Sequence, residues 1–243
     1  MTFAKLSLDR MRPFMATPLL GCAAIVCAAA PAGASRVEVV GHSVLGRSIR
    51  AVVIGPRDAT RNVLVVGSVH GNETAGHAIV AALRRRNTAP AGTALWLVRS
   101  FNPDGVARGT RQNARGVDLN RQAPYRWRHL PRGTFYAGPR PLSEPESRAA
   151  IRLVRRLQPV VAIWYHQAAR IVDSTKPIAR RYAHTVGLPW GRLAGSYPGS
   201  ITNWQNHVLP ATTAFVVELA AGRLSAAAVH RHVRAVLTAS RGA

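Results

Sequence analysis

The 243 residues include 33 lysines and arginines against 10 aspartates and glutamates, for a formal charge of +23, and 47% of them are hydrophobic. That length and apolar content suffice for one well-buried core, more than a small disulfide-stapled module needs. Both cysteines, Cys22 and Cys27, lie in a single apolar stretch near the N-terminus, so the rest of the chain cannot rely on disulfides.

The N-terminus has the three-part layout of a secretory signal over residues 1–34. Lys5, Arg10 and Arg12 form a basic start, Phe14 to Ala30 is almost wholly apolar, and Ala32-Gly33-Ala34 offers a small-residue cleavage site. The expected location is therefore secreted, periplasmic or cell envelope, with a mature chain starting near Ser35. Two alternatives are a retained N-terminal membrane anchor, which the apolar length barely permits, and a lipoprotein linked through Cys22. The chain after Cys22 stays apolar, unlike a tether.

Without that segment 30 basic and 9 acidic residues remain, a charge of +21. Of the 33 basic residues 31 are arginine, spread along the chain apart from Arg84-Arg85-Arg86. Such dispersion is unlike a nucleic-acid footprint, and no nucleic-acid partner is expected. For an exported chain the matching polyanions are anionic cell envelope polymers and lipid heads. A monomer is expected. The scarcity of carboxylates gives each a claim to a specific task, and Glu73, Asp104, Asp118, Glu146 and Glu218 all fall inside the motifs below.

In chain order, Val37 to Val40 and Ile49 to Ile54 are β-rich runs, closed by the turn Gly55-Pro56. Val63 to Val69 is a near-continuous apolar run that suits a buried parallel strand, followed by helical spacing over Ala75 to Arg86. Ala94 to Val98 is the next strand. Asn102 to Arg140 is a long stretch rich in glycine, proline and arginine with little periodicity. Ser143-Glu-Pro-Glu146 has the form of a capping box opening a helix through Leu157. Val160 to Tyr165 and Ala214 to Val217 are further strands, and Ile178 to Val186 and Leu224 to Leu237 further helices. The alternation implies one α/β domain over residues 35–243, a mixed, mostly parallel twisted sheet with helices on both faces.

Three of these apolar strands run into a chemically capable residue: His70, His166 and Glu218. Ligand sites in open α/β sheets form outside the carboxyl ends of the strands, where these three converge. His70-Gly71-Asn72-Glu73 brings an imidazole and a carboxylate close enough to share an ion. With the distant His166 they make a His/Glu/His set that leaves the fourth position of a tetrahedral zinc open for water. Glu218, closing a buried strand, is placed to take that water's proton.

The set Gly67-Ser-Val-His70-Gly-Asn-Glu73, Asn102-Pro-Asp-Gly105, Gly116-Val-Asp-Leu-Asn120-Arg121, Gly138-Pro-Arg-Pro-Leu-Ser-Glu-Pro-Glu146, His166 and Val217-Glu218-Leu219 resembles the zinc carboxypeptidases, and among them the bacterial murein peptide amidases. It spans about residues 63 to 220 in the family's order. The resemblance implies a catalytic domain with one Zn2+ on His70, Glu73 and His166, and Glu218 as general base. It also implies that Arg111 polarises the scissile carbonyl and supports its oxyanion, that Asn120 and Arg121 grip a substrate carboxylate, and that Gly199 to Trp204 lines the specificity pocket. An arginine fork suits a carboxylate, and developing negative charge needs fixed donors. Tyr197, 21 residues before Glu218, is a candidate for the mobile substrate-contacting tyrosine of many relatives, in a spacing that does not match cleanly. Gln122-Ala123-Pro124 replaces the common Asn-Phe-Pro. His42, His77, His129, His184, His207, His230 and His232 have no convergent partners.

The function expected is zinc-dependent hydrolysis of a peptide bond beside a free carboxylate, in peptidoglycan-derived peptides. Two rivals are an N-acyl amino acid deacylase of the aspartoacylase and succinylglutamate desuccinylase type, which shares the His-Gly-Asn-Glu opening, and a non-catalytic basic wall-binding protein.

Overall fold

The computed structural model describes residues 1–2, 35–195 and 197–241; the expected signal segment and its Cys22 fall outside them, apart from Met1 and Thr2. No helix among the described residues is long and apolar enough to cross a membrane. The described residues from Ser35 onward group as one compact unit.

Among the described residues eight strands form one sheet: β1 (Arg36–His42), β2 (Ser48–Ile54), β3 (Arg61–Val66), β4 (Thr93–Val98), β5 (Val161–Gln167), β6 (Ile171–Asp173), β7 (Trp190–Gly191) and β8 (Thr213–Leu219). Their order is β1-β2-β4-β3-β5-β8-β6-β7. The central run β4-β3-β5-β8 is parallel, while β1, β2 and β6 add antiparallel pairings on either side of it. Among the described residues six helices accompany the sheet: α1 (Gly76–Arg86), α2 (Pro103–Arg108), α3 (Pro145–Leu157), α4 (Pro177–Val186), α5 (Ile201–Val208) and α6 (Ala226–Arg241).

Strand alternation divides the buried side chains between two cores. Val63, Val65, Ile163, Tyr165, Phe215 and Val217 face α1, α4 and α6. Leu64, Val66, Ala162, Trp164 and Ala214 face α3 and α5. Both faces of the central strands are covered, which is why those strands have no polar alternation in sequence.

Three expectations need correction. The strand expected over Val63 to Val69 ends at Val66, because β4 turns away after Val98: Gly67 N–H still reaches Val98 O at 2.9 Å, but Phe101 N–H then bonds Ser68 O, and the ladder is left behind. His70 therefore sits on a loop beyond the strand. The capping box at Ser143 is not formed, since Glu144 is the N-cap and no side chain caps the helix. Glu146 instead accepts from Val44 N–H at 2.9 Å and from Asn113 Nδ2 at 3.2 Å, tying α3 to the β1–β2 turn and the long loop. That loop is also less irregular than its composition suggests. It holds α2, whose N-cap Asn102 accepts from Gly105 N–H at 2.8 Å, and a 3-10 turn at Leu119–Arg121 capped by Asp118.

Candidate metal centre

The parallel strands end on one edge of the sheet, and the site is assembled there. His166 and Glu218 are register partners on β5 and β8, each the penultimate residue of its strand. His70 and Glu73 come from the loop between β3 and α1. Gly71, between them, lies against the backbone of Gly105: a Cβ there would stand 2.0 Å from the Gly105 carbonyl carbon. Only glycine allows the loop to pack this closely on α2, and that contact fixes where His70 and Glu73 point.

Within the cluster His70 Nδ1 is 2.9 Å from Glu73 Oε1, His166 Nδ1 is 2.8 Å from Glu73 Oε2, and the two Nδ1 atoms are 3.1 Å apart. All three side chains are buried. The far nitrogen of His70, Nε2, lies 3.0 Å from Asp118 Oδ1, so Nε2 carries the proton and the Nδ1 lone pair faces the cluster. Lone pairs of His70 and a carboxylate facing one another at this range repel unless a cation stands between them. Tetrahedral zinc with bonds of about 2.0–2.1 Å needs donors about 3.3 Å apart, and the spacing and the nitrogen–oxygen donor set both fit. His70, Glu73 and His166 form the one group able to hold a metal ion among the described residues.

The surroundings polarise the cluster. Burial alone would lower the His70 pKa, but the Asp118 and Glu73 carboxylates raise it. Burial opposes ionisation of Glu73, yet the neighbouring imidazoles of His166 and His70 outweigh it and hold the carboxyl below the ordinary range. Asp118 is likewise held low against its burial by His70 and by the arginines at 111 and 121. Glu218 is the exception: half-buried, with only Ala169 N–H at 3.5 Å on Oε2 among the described residues, its carboxyl is pushed up by burial.

All eight residues singled out in the sequence line one cleft with about 500 Å³ of empty space: His70, Glu73, Arg111, Asn120, Arg121, His166, Tyr197 and Glu218. Arg111 reaches Glu73 Oε1 with Nη1 at 3.0 Å and forks onto Asp118 Oδ2 with Nε and Nη2 at 3.1 and 3.0 Å. Asn102 Nδ2 in turn holds the Arg111 carbonyl at 3.1 Å. Asn120 Oδ1 accepts from Ile201 N–H at 3.2 Å at the start of α5. Next to it Gly199, at φ +69, would place a Cβ 2.3 Å from the Arg121 carbonyl oxygen, so glycine is required for α5 to approach. Arg121 is 6% exposed and lies over the rings of Phe135 and Tyr197 at 5.3 and 5.5 Å. It makes no direct ion pair among the described residues; burial lowers its pKa, opposed by the nearby Asp118 charge. The Tyr197 hydroxyl donates to Ala194 O at 2.7 Å.

Other residues of the site were not singled out in the sequence. Asp118 was noted only as part of a motif, yet it orients His70 and anchors Arg111. Gln167 uses its whole side chain to brace two segments: Oε1 accepts from Ala75 N–H at 2.9 Å, while Nε2 donates to Ala220 O and Gly222 O at 2.9 and 3.0 Å. Asp173, Leu193 and Val216 also line the cleft, as do Ser200, Thr202 and Asn203 from the Gly199 to Trp204 segment. The only signal for Gln167 was its place after His166. Of the remaining histidines, His77 meets Ser68 Oγ at 2.9 Å and His232 meets Tyr182 at 2.8 Å, both away from the cleft.

Comparison with known proteins adds independent evidence. A family model described as zinc carboxypeptidase matches residues 26–179, a span that includes His70, Glu73 and His166 and stops short of Glu218. Murein peptide amidase A of Escherichia coli (strain K12) is 28% identical over 183 residues, covering 69% of this chain and 75% of that protein. The carboxypeptidase N catalytic chain of Homo sapiens is 30% identical over 193 residues, covering 63% and 42%. Among solved structures, the murein-tripeptide amidase MpaA from Escherichia coli O157 superposes with a TM-score of 0.70 at 25% identity, covering 89% of this chain and 94% of that one. Carboxypeptidase A from Helicoverpa armigera gives 0.72 at 16% identity over 88% and 70%, a likeness of fold.

Proposed function

Because the chain belongs to the zinc carboxypeptidase family and is a metallopeptidase, we propose that it is an exported amidase that hydrolyses a peptide bond beside a free carboxylate in murein peptides. His70, Glu73 and His166 hold one zinc ion, and Glu218 is the general base.

Arg121 carries the carboxylate assignment. A guanidinium 6% exposed, lying over the rings of Phe135 and Tyr197, feels the Asp118 charge and donates to Asn120 O at 2.9 Å but makes no direct ion pair among the described residues, which leaves its remaining donors costly to bury unless an anion completes them. It opens on the same cleft as the His/Glu/His cluster, so the anion it awaits belongs to the substrate. A carboxylate matches its planar fork.

When bound, zinc supplies a Lewis acid that acidifies water and polarises the scissile carbonyl. Asp118 holds the proton of His70 on Nε2 and so keeps Nδ1 free for the metal. Glu218, whose burial raises its proton affinity, takes a proton from the attacking water and returns it to the leaving amine. Arg111, clamped by Asp118 and Glu73, stands as a fixed positive charge for the developing oxyanion. Asn120 sets the angle of α5 against Arg121. The murein assignment is supported by the names of the amidase relatives, and export by the N-terminal signal pattern. The strongly positive chain also suits an anionic cell envelope.

The test offers zinc-loaded enzyme γ-D-glutamyl-diaminopimelate and a panel of N-acyl amino acids. Release of diaminopimelate at the higher kcat/KM supports the proposal. Preferential hydrolysis of the N-acyl amino acids reassigns the chain to deacylation.

A further inference from the structure

Residues 133–136 return along the stretch of chain that carries Arg111 and Arg121. Two tethers set their course. Gln112 Nε2 donates to Thr134 O at 2.9 Å and Gly133 O at 3.3 Å, and Asp118 N–H donates to Tyr136 O at 2.8 Å. The tethers start one residue after Arg111 and three before Arg121, so this segment and the two cations are placed together.

Between the tethers stands Phe135, 52% exposed and outside both cores. Burial of apolar surface does not explain where this ring sits. Its charged neighbours do: the Arg111 guanidinium carbon lies 5.2 Å and that of Arg121 5.3 Å from the ring centroid, so one ring meets two cations. Phe135 lines a groove that adjoins the cleft and shares Arg121 and Tyr197 with it, so the ring acts through the arginines and not on the substrate.

The two guanidinia are like charges at close range. Burial first, and then the Arg111 charge, lower the Arg121 pKa against the opposing pull of Asp118. Arg111 is anchored by Glu73 and Asp118, whereas Arg121 contacts the Asn120 carbonyl and the two rings. A carboxylate placed over Arg121 would fix it and also neutralise it. The electron-rich face of a ring attracts both cations and offsets part of their repulsion without adding a negative charge that competes with a substrate anion.

We propose that Phe135 is a positioning residue whose ring holds Arg111 and Arg121 in place before substrate binds and leaves their charge free for its anions. The inference rests on the roles given to the two arginines above.

The experiment replaces Phe135 in the zinc-loaded enzyme by phenylalanine carrying one, two or three ring fluorines, which withdraw charge from the ring face with little change of shape. Two partly desolvated contacts predict that kcat/KM for γ-D-glutamyl-diaminopimelate falls stepwise with each fluorine, by about 5–30-fold in all. Phe135→Leu loses a similar factor, and Phe135→Trp, with the stronger π face, recovers it. A flat fluorine series overturns the proposal even where the Leu variant is impaired, because the ring then acts by shape alone. The wild-type enzyme is also offered the analogue in which the carboxylate beside the cut is a carboxamide. Equal kcat/KM for the two substrates removes the role of Arg121 and overturns both the reading above and this inference. A preference for the carboxylate with a flat fluorine series overturns this inference alone.

Discussion

Asp118 concentrates more of the site's order than any other side chain, and Asp118→Asn isolates its charge. The carboxylate is fully buried, with Oδ1 shared between His70 Nε2 and Asn120 N–H and Oδ2 taking two donors from Arg111. An amide of the same shape must turn its NH2 toward either the His70 N–H or the Arg111 fork, so one donor faces another. Loss of such an outer partner lowers metal affinity about 10–100-fold, or about 1.4–2.8 kcal/mol. Where the NH2 turns toward the fork, Arg111 instead loses its two-point hold and is left with Glu73, one of the metal donors. Competition with a chromophoric chelator at fixed pH measures the zinc affinity directly. The expected result is weakened binding with the protein still folded. An Asn variant that binds zinc within threefold of wild type refutes the role given to Asp118.

Gly71→Ala drives a Cβ into the Gly105 backbone, which cannot swing aside; a loss of about 1–3 kcal/mol in urea unfolding is expected together with weaker zinc binding. Gln167→Leu frees the chain just after Glu218 from the start of α1, and a fall in kcat with KM nearly constant is expected in steady-state kinetics. His232 is buried with a pKa lowered by burial to about 4 from an ordinary 6.5. The unfolded chain then binds the proton first as pH falls. Its contribution is complete above 6.5 and lost toward 4, by up to about 3 kcal/mol. Urea midpoints measured across that window should fall with acid, and His232→Leu should flatten the slope.

The parts of the fold legible in sequence are those where one physical term dominates. The runs ending near Val66, Val98, Tyr165 and Val217 are buried on both faces, and their unbroken apolar character announced parallel strands. β6 and β7 are too short for any pattern, and α5, with Asn203, Asn206 and His207 in eight residues, has weak periodicity. The end of β3 was misplaced because apolar content continues through Val69 while the partner strand does not. At the site, residues with a chemically distinctive side chain were readable, and the structure gathers all eight in one cleft. Residues that act by holding others were not. Gln167 is an ordinary polar residue until its backbone partners, on two segments far apart in sequence, are seen together. Glu144 and Glu146 looked like a helix start, but burial committed them to Asn113 and Val44.

The central claim is that a zinc cluster and Glu218 act together in hydrolysis, and zinc-loaded Glu218→Gln tests it most directly. The account predicts one zinc per chain, as in the wild type, with hydrolysis of γ-D-glutamyl-diaminopimelate reduced about 10²–10⁴-fold, the usual contribution of a positioned general base. Turnover at the wild-type rate by the zinc-loaded Gln variant would contradict it.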